Sequence, residues 1–264
     1  MKSNKQENRR QFLKGSAAAA GAVALGGSIQ PALAEETEYV IDPPATTSME
    51  IFGSSARFPV RRVFCLGRNY RAHAFESGDD PDVNPPFFFI KPRDAVVDSR
   101  EPLPYPPMTQ ELRYEGEMIV ALKSGGANIS EADALNHVYA YGVGLDMTRE
   151  DLQHEAQRLE RPWAISKSFD NSAPCGPLYP VDTHGHAVTG RIWLSVNGEI
   201  KQDSDLELQR WSVPQGIAIL SQYYELTAGD IIMSGTPEGI GLVFKGDVIR
   251  AGIEGLGEIE VTLV

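Results

Sequence analysis

Glu115-Gly116-Glu117-Met118-Ile119-Val120-Ala121-Leu122 is the stretch on which the fold turns. Its apolar run, with β-branched Ile119 and Val120 at the centre, reads as a buried strand. Residues two apart on a strand share a face, so Glu115 and Glu117 aim the same way. Two adjacent carboxylates on a buried strand repel each other and lose hydration, and a hard divalent cation removes both costs. A solvent-facing edge with both glutamates in water is the other reading of the pair alone. Asp146 ends the run Ala140-Tyr141-Gly142-Val143-Gly144-Leu145, just before Thr148. There it serves either as a third ligand or as a turn or cap residue. Three carboxylates with no nearby Cys or paired His suggest Mg²⁺ or Mn²⁺ in an oxygen shell.

Outward from this stretch the chain is a series of short β-rich runs bounded by turn residues: Val63–Leu66, Phe87–Ile90, Tyr139–Leu145, Ile192–Val196, Ile231–Met233 and Ile259–Val264. Two longer helices stand out. Thr148 with Asp151 resembles a capping box and opens a helix through about Leu159, which stops before Pro162. Trp211 to Leu226 places Ile217, Leu220 and Tyr224 at helical spacing. The prediction is an α+β fold, mostly β with few helices, in which 25 Gly and 18 Pro supply tight turns. Residues 35–60, rich in Pro, Thr and Ser, read as a loosely structured lead-in.

Further reactive groups cluster near Cys65. If a short helix starts near Asn69, His73 and Glu76 lie at i and i+3 and can touch. A carboxylate beside imidazole raises its basicity and fixes its tautomer, as water activation needs. A surface ion pair has the same spacing. Lys167 lies in a mostly uncharged stretch and either stabilises a developing negative charge or sits on the surface. His184-Gly185-His186 reads as a solvated turn, and His137 and His154 as exposed positions. Gly235-Thr236-Pro237-Glu238-Gly239-Ile240-Gly241 lacks the Gly-Lys-Ser/Thr ending of a phosphate loop, but it can offer N–H groups and the Thr236 hydroxyl to a carboxylate. Cys65 and Cys175 read as free structural thiols.

The net charge of −12 hides an asymmetry: residues 1–34 carry +4 and residues 35–264 carry −16. So acidic a body excludes a nucleic-acid role and disfavours anionic membrane surfaces. The basic start contains Asn8-Arg9-Arg10-Gln11-Phe12-Leu13-Lys14, then the mildly apolar Ala17–Leu25, then Ala32-Leu33-Ala34. This is a twin-arginine pattern with a small-x-small cleavage site, so residues 1–34 are read as a removed export signal leading to the periplasm. No later apolar stretch is long enough to span a membrane.

Taken together, these segments resemble the fumarylacetoacetate hydrolase family. The resemblance is carried, in order, by Gly67-Arg68-Asn69-Tyr70 with His73 and Glu76; Phe89-Ile90-Lys91-Pro92; Glu115-Gly116-Glu117; Gly144-Leu145-Asp146; Lys167-Ser168-Phe169-Asp170; and Ser234-Gly235-Thr236-Pro237. It runs from about Arg61 to Val264, and residues 61–264 are taken as the catalytic domain. Pro85-Pro86-Phe87-Phe88-Phe89, Tyr105-Pro106-Pro107 and Arg161-Pro162-Trp163 look most like the fumarylpyruvate and acylpyruvate hydrolase branch.

The resemblance implies a mixed β-sandwich roll, a homodimer and one Mg²⁺ or Mn²⁺ per chain. By position, Glu115, Glu117 and Asp146 match the metal ligands, His73 and Glu76 the water-activating pair, and Lys167 the charge-stabilising lysine. Arg68, Tyr70, Lys91 and Thr236 fall where substrate contacts are expected. Gly116 replaces a bulkier apolar residue, which implies a looser strand there. The implied reaction is hydrolysis of a 1,3-diketo acid to pyruvate and a carboxylic acid, with water deprotonated by His73. Decarboxylation of oxaloacetate and isomerisation of an unsaturated diketo acid are alternatives on the same site. An exported binding protein for a metal–dicarboxylate complex is a reading of another class, but it leaves the His73–Glu76 base without use.

Overall fold

The central apolar runs become strands because their neighbours are apolar on both faces. A computed structural model describes residues 38–80 and 82–264, so the export signal lies outside the described residues. In the Gly116–Leu122 strand every residue is buried. Met118, Val120 and Leu122 enter one hydrophobic cluster, while Ile119 and Ala121 enter a second on the opposite face. The continuous apolar run is therefore the signature of a strand covered on both sides.

Among the described residues the strands fall into four sheets. The largest is mixed. Its order runs Phe87–Lys91, Arg62–Gly67, Asp230–Met233, Gly116–Leu122, Val138–Leu145, Ala173–Cys175, Val96–Asp98, and Tyr179–Pro180 also pairs with Val138–Leu145. Asp230–Met233 runs parallel to Arg62–Gly67, and Ala173–Cys175 parallel to Val96–Asp98; the other pairings are antiparallel. An antiparallel four-stranded sheet, Glu199–Asp205, Arg191–Val196, Val248–Ile253, Glu258–Thr262, shares the larger cluster through Ile192, Leu194, Ile249 and Ala251. A small sheet joins Gly241–Val243, Leu112–Tyr114 and Thr148–Arg149. This is the α+β, mostly β architecture expected, with the sheets packed face to face.

Three local readings change. The described part of the lead-in, residues 38–60, holds an antiparallel hairpin, Ser48–Glu50 with Arg57–Pro59, whose Met49 and Phe58 are buried in the smaller cluster. The proposed Thr148 cap does not form. The helix is Glu150–Arg158, its N-cap is Arg149, and no side chain caps it. Thr148 belongs to a strand instead, and Asp151 accepts from Thr109 Oγ1 at 2.6 Å and Gln110 N at 3.0 Å. The helix predicted over Trp211–Leu226 is Val213–Tyr223, opened by a capping box of Ser212 and Gln215 with Pro214 in its first turn. Cys65 and Cys175 are free and buried; burial pushes the Cys65 thiol up and the Cys175 thiol up to about 12. No helix among the described residues is long and apolar enough to cross a membrane.

Gly116 corrects the expectation of a looser strand. Its N–H donates to Gln202 Oε1 at 3.0 Å, and an added Cβ would lie 3.2 Å from both that oxygen and Leu194 Cδ1. The second sheet presses closely here, so any side chain at this position would have to push Gln202 and Leu194 back by a few tenths of an ångström. Gly116→Val is expected to lower stability by about 1–3 kcal/mol through overpacking. Urea denaturation of the variant against the unaltered chain measures it.

Candidate metal centre

The register of two strands builds the site. Gly116 pairs with Leu145 and Glu117 with Gly144, and Asp146 N donates to Glu115 O at 2.9 Å. Asp146 is thereby set beside Glu115 at the end of the adjoining strand. One ligand oxygen from each of Glu115, Glu117 and Asp146 lies within 4.8 Å of the others, and all three residues are buried.

One oxygen of each carboxylate is held from the side away from Lys167. Glu115 Oε1 receives Arg113 Nη2 at 2.8 Å and the Thr148 hydroxyl at 3.2 Å. Glu117 Oε2 receives the Gly235 N–H at 2.9 Å. Asp146 Oδ1 faces Lys91 Nζ at 2.8 Å. Lys167 Nζ bridges the other oxygens of two of the carboxylates, Glu115 Oε2 at 2.8 Å and Asp146 Oδ2 at 3.0 Å. This set fits a hard divalent cation: the donors are all oxygen and already oriented.

The electrostatics are uneven. Burial alone would raise the Glu115 carboxyl, but Lys167 and Arg113 hold it well below the usual carboxylate range. Burial pushes Glu117 well above that range, with Asp146 and Glu115 adding repulsion against the single Gly235 N–H. Burial would lower Lys167, and the carboxylates of Asp146 and Glu115 more than offset it.

A cleft opens over the trio. His73 sits on the helix Arg71–Glu76, with Nδ1 3.2 Å from Glu76 Oε2. Glu76 Oε1 receives the Gly239 N–H at 3.2 Å. A carboxylate only accepts, so Nδ1 carries the hydrogen and Nε2 is the nitrogen left to take a proton. His73, Glu76, Lys167, Arg68 and Thr236 all line this cleft. Arg68 has a positive φ of 53° and faces Asp79 at 3.3 Å; its guanidinium lies 5.9 Å from the ring centres of Phe87 and Trp163. Thr236 Oγ1 accepts from Gln202 Nε2 at 2.8 Å.

The structure places two expected substrate contacts elsewhere. Lys91 is 0% exposed, behind Asp146, and also donates to Met147 O at 3.2 Å and to Lys167 O. Its protons are spent inside the protein, so it acts on the carboxylate rather than on a ligand. Tyr70 is 1% exposed and lies outside the cleft lining. His184 and His186 are not drawn to the trio; His186 Nδ1 lies 3.0 Å from Tyr141 Oη.

The structure also adds residues that sequence reading missed. Arg113, Glu150, Gln153, His154, Gln157 and Trp163 line the cleft. Glu150, Gln153, His154 and Gln157 stand at i, i+3, i+4 and i+7, a polar stripe on one helix face that was open to detection. Buried Gln202 had no such signal.

The comparisons agree with this geometry. Residues 62–264 match the family model for the fumarylacetoacetate hydrolase C-terminal domain, and residues 8–26 match the signal sequence of the twin-arginine translocation pathway. The fumarylpyruvate hydrolase of a Ralstonia species is 40% identical over 70% of this chain and 95% of its own length. The mitochondrial oxaloacetate tautomerase of Homo sapiens is 35% identical over 74% of this chain and 88% of its own. The crystal structure of fumarylpyruvate hydrolase from Pseudomonas aeruginosa, in complex with Mn²⁺ and pyruvate, superposes with a TM-score of 0.85 and 48% identity, covering 86% of this chain and 99% of that one.

Two outcomes follow from the charges. Lys91→Met leaves Asp146 buried without its closest cation and is expected to cost about 3–5 kcal/mol in the metal-free protein, read by urea denaturation. The raised Glu117 carboxyl stabilises the metal-free fold in acid, and that contribution is lost as pH rises from the ordinary Glu value through the folded one. The lowered Glu115 carboxyl has the opposite sign: its contribution stands above the ordinary value and is lost in acid. A cation must displace the Glu117 proton, so affinity strengthens with pH until Glu117 ionises unaided. Calorimetry of Mn²⁺ binding in buffers of different ionisation enthalpy measures the released proton. Proton release that sets in only below the ordinary glutamate value would contradict the assignment.

Proposed function

The chain belongs to the fumarylacetoacetate hydrolase family, and on that premise we propose that it is a divalent-metal-dependent hydrolase of 1,3-diketo acids. It would cleave an acylpyruvate, such as fumarylpyruvate, to pyruvate and a carboxylic acid. The observation that carries this is one cleft holding both a buried carboxylate trio and a histidine whose Nδ1 is held by a carboxylate. The match to a hydrolase solved with Mn²⁺ and pyruvate supports the cofactor, Mg²⁺ or Mn²⁺, and the product.

The ligands in this proposal are Glu115, Glu117 and Asp146. When bound there, the cation supplies Lewis acidity toward the oxygens of a 2-oxo acid, easing the negative charge that appears as the C–C bond breaks. His73 Nε2 takes a proton from water, and the resulting hydroxide adds to the distal carbonyl carbon. The bond to the central carbon then breaks, its electron pair passes to the pyruvate fragment, and a proton returns to that carbon. Glu76, fixed by the Gly239 N–H, holds the imidazole in the tautomer this needs. Lys167 supplies a cation beside the trio, and Arg68 and Thr236 offer donors to the substrate. Lys91, Lys167 and Arg113 face the three carboxylates and Glu150, three cations against four acids. A divalent cation added to that balance leaves positive charge, which suits an anionic keto acid.

A second reading has its own support, the likeness to an oxaloacetate tautomerase. Keto–enol exchange needs the same base and the same cation but no attacking water. The working protein in either case is a homodimer. Residues 1–34 act as the cleaved twin-arginine signal, and residues 61–264 as the catalytic domain delivered to the periplasm.

Fumarylpyruvate, acetylpyruvate and oxaloacetate, each with Mg²⁺ or Mn²⁺, separate the readings. Hydrolysis yields pyruvate plus an acid with loss of diketo absorbance. Tautomerisation changes the enol band of oxaloacetate without splitting the carbon chain. His73→Ala is expected to slow hydrolysis by about 10²- to 10⁴-fold with Mn²⁺ binding intact. Wild-type turnover of acylpyruvates by that variant would overturn the role of His73.

A further inference from the structure

Glu150 has no part in the chemistry proposed above, yet it is built into the wall of the cleft. Its Oε2 pairs with Arg113 Nη1, and its Oε1 lies 3.0 Å from His154 Nε2. Arg113 spans from Glu150 to the carboxylate trio. Its Nη2 lies 2.8 Å from Glu115 Oε1 and 2.7 Å from Gln153 Oε1. A guanidinium is a planar fork that grips both oxygens of a carboxylate when it is free to do so. Here Glu150 and Gln153 hold the fork sideways, so a single nitrogen reaches Glu115, and only at Oε1. Glu115 Oε2, the oxygen facing Lys167, stays outside that grip.

We infer that Glu150 is a positioning residue for the metal centre: by engaging Arg113 it keeps Glu115 a single-oxygen ligand and offsets the guanidinium charge beside the carboxylate trio. The inference rests on the reading that Glu115, Glu117 and Asp146 hold a divalent cation. Two effects share one sign. Without the Glu150 charge, Arg113 opposes entry of a cation more strongly. A released Nη1 is also free to turn onto Glu115 and take the second oxygen. The second effect acts through Arg113 and vanishes when Arg113 is absent, whereas the lost Glu150 charge weakens binding by a small factor in either background. General loosening of the helix would not behave in this way.

Titration calorimetry of Mn²⁺ on the full chain tests it, with Glu150→Gln, Arg113→Met and the double variant, and with metal-free thermal melts recording that each is folded. Glu150→Gln is expected to weaken Mn²⁺ binding about 10-fold, the lower end of what partners of metal ligands carry. The same change made on Arg113→Met is expected to alter affinity by less than about twofold. Arg113→Lys serves as the second background should Arg113→Met not fold; a lysine has no fork, so the loss there shrinks as well. Mn²⁺ affinity of Glu150→Gln within about twofold of the unaltered chain, or an equal loss in both backgrounds, overturns the inference alone. Failure of the unaltered chain to bind Mn²⁺ overturns the metal reading and this inference with it.

Discussion

Three carboxylates converging in a place that water barely reaches is a costly arrangement. An isolated buried carboxylate is so unfavourable that it would give up its charge. Here the chain answers with a second layer of cations, one role each. Lys91 lies behind Asp146, Arg113 beside Glu115, and Lys167 between them. Glu117 receives only a backbone N–H, so the repulsion left over concentrates on it. The result is a preformed oxygen set whose least satisfied member is the one a cation relieves most.

The sheet exists in a form that allows this. Register between Gly116–Leu122 and Val138–Leu145 brings Asp146 level with Glu115, and close packing against the second sheet holds that register. Buried Gln202 links the second sheet to both sides of the site. Its Oε1 takes the Gly116 N–H, and its Nε2 serves Thr236 Oγ1 and Pro237 O, each at 2.8 Å. The loop that carries Thr236 also supplies the N–H groups of Gly235 and Gly239 to Glu117 and Glu76. One short turn therefore orients Glu117 and Glu76 together. Gly235, at φ +94° and with a Cβ position only 2.6 Å from Asn69 Cβ, is where that turn needs glycine.

What the sequence disclosed follows from how local each signal is. Glu115 and Glu117 two apart, and His73 and Glu76 three apart, are set by the periodicity of a strand and a helix, and both pairs meet as that periodicity requires. The apolar runs of the central strands Gly116–Leu122 and Asp230–Met233 mark them because burial on both faces leaves no polar alternation to obscure them. Thr148 misled for a physical reason. A hydroxyl three residues before an acid fits a cap equally well whether or not a carboxylate elsewhere claims it, and here Glu115 does. Lys91 misled in the same way, since its buried partner, Asp146, is 55 positions away in the chain. Arg113 sits two residues from Glu115, but nothing local tells that its other end is held by Glu150.

The two walls of the cleft divide the chemistry between them. On one side Phe87, Phe89 and Trp163 form an aromatic face, with Phe87 and Phe89 edge-on to Trp163 at 5.4 and 6.0 Å, and Arg68 standing over that group. On the other the helix Glu150–Arg158 turns its polar stripe inward. Hydrolysis and enolisation make the same demand on the base and on the trio, because both place charge on the oxygen of a 2-oxo acid. They differ in whether water can stand between His73 and the substrate. Under the proposed function, the space between an aromatic wall and a hydrogen-bonding one is where an acyl group would admit or exclude that water, and the fold alone does not fix the reaction. The proposed base and carboxylate trio would serve either reaction, so the two readings part at the walls of the cleft and not at the trio.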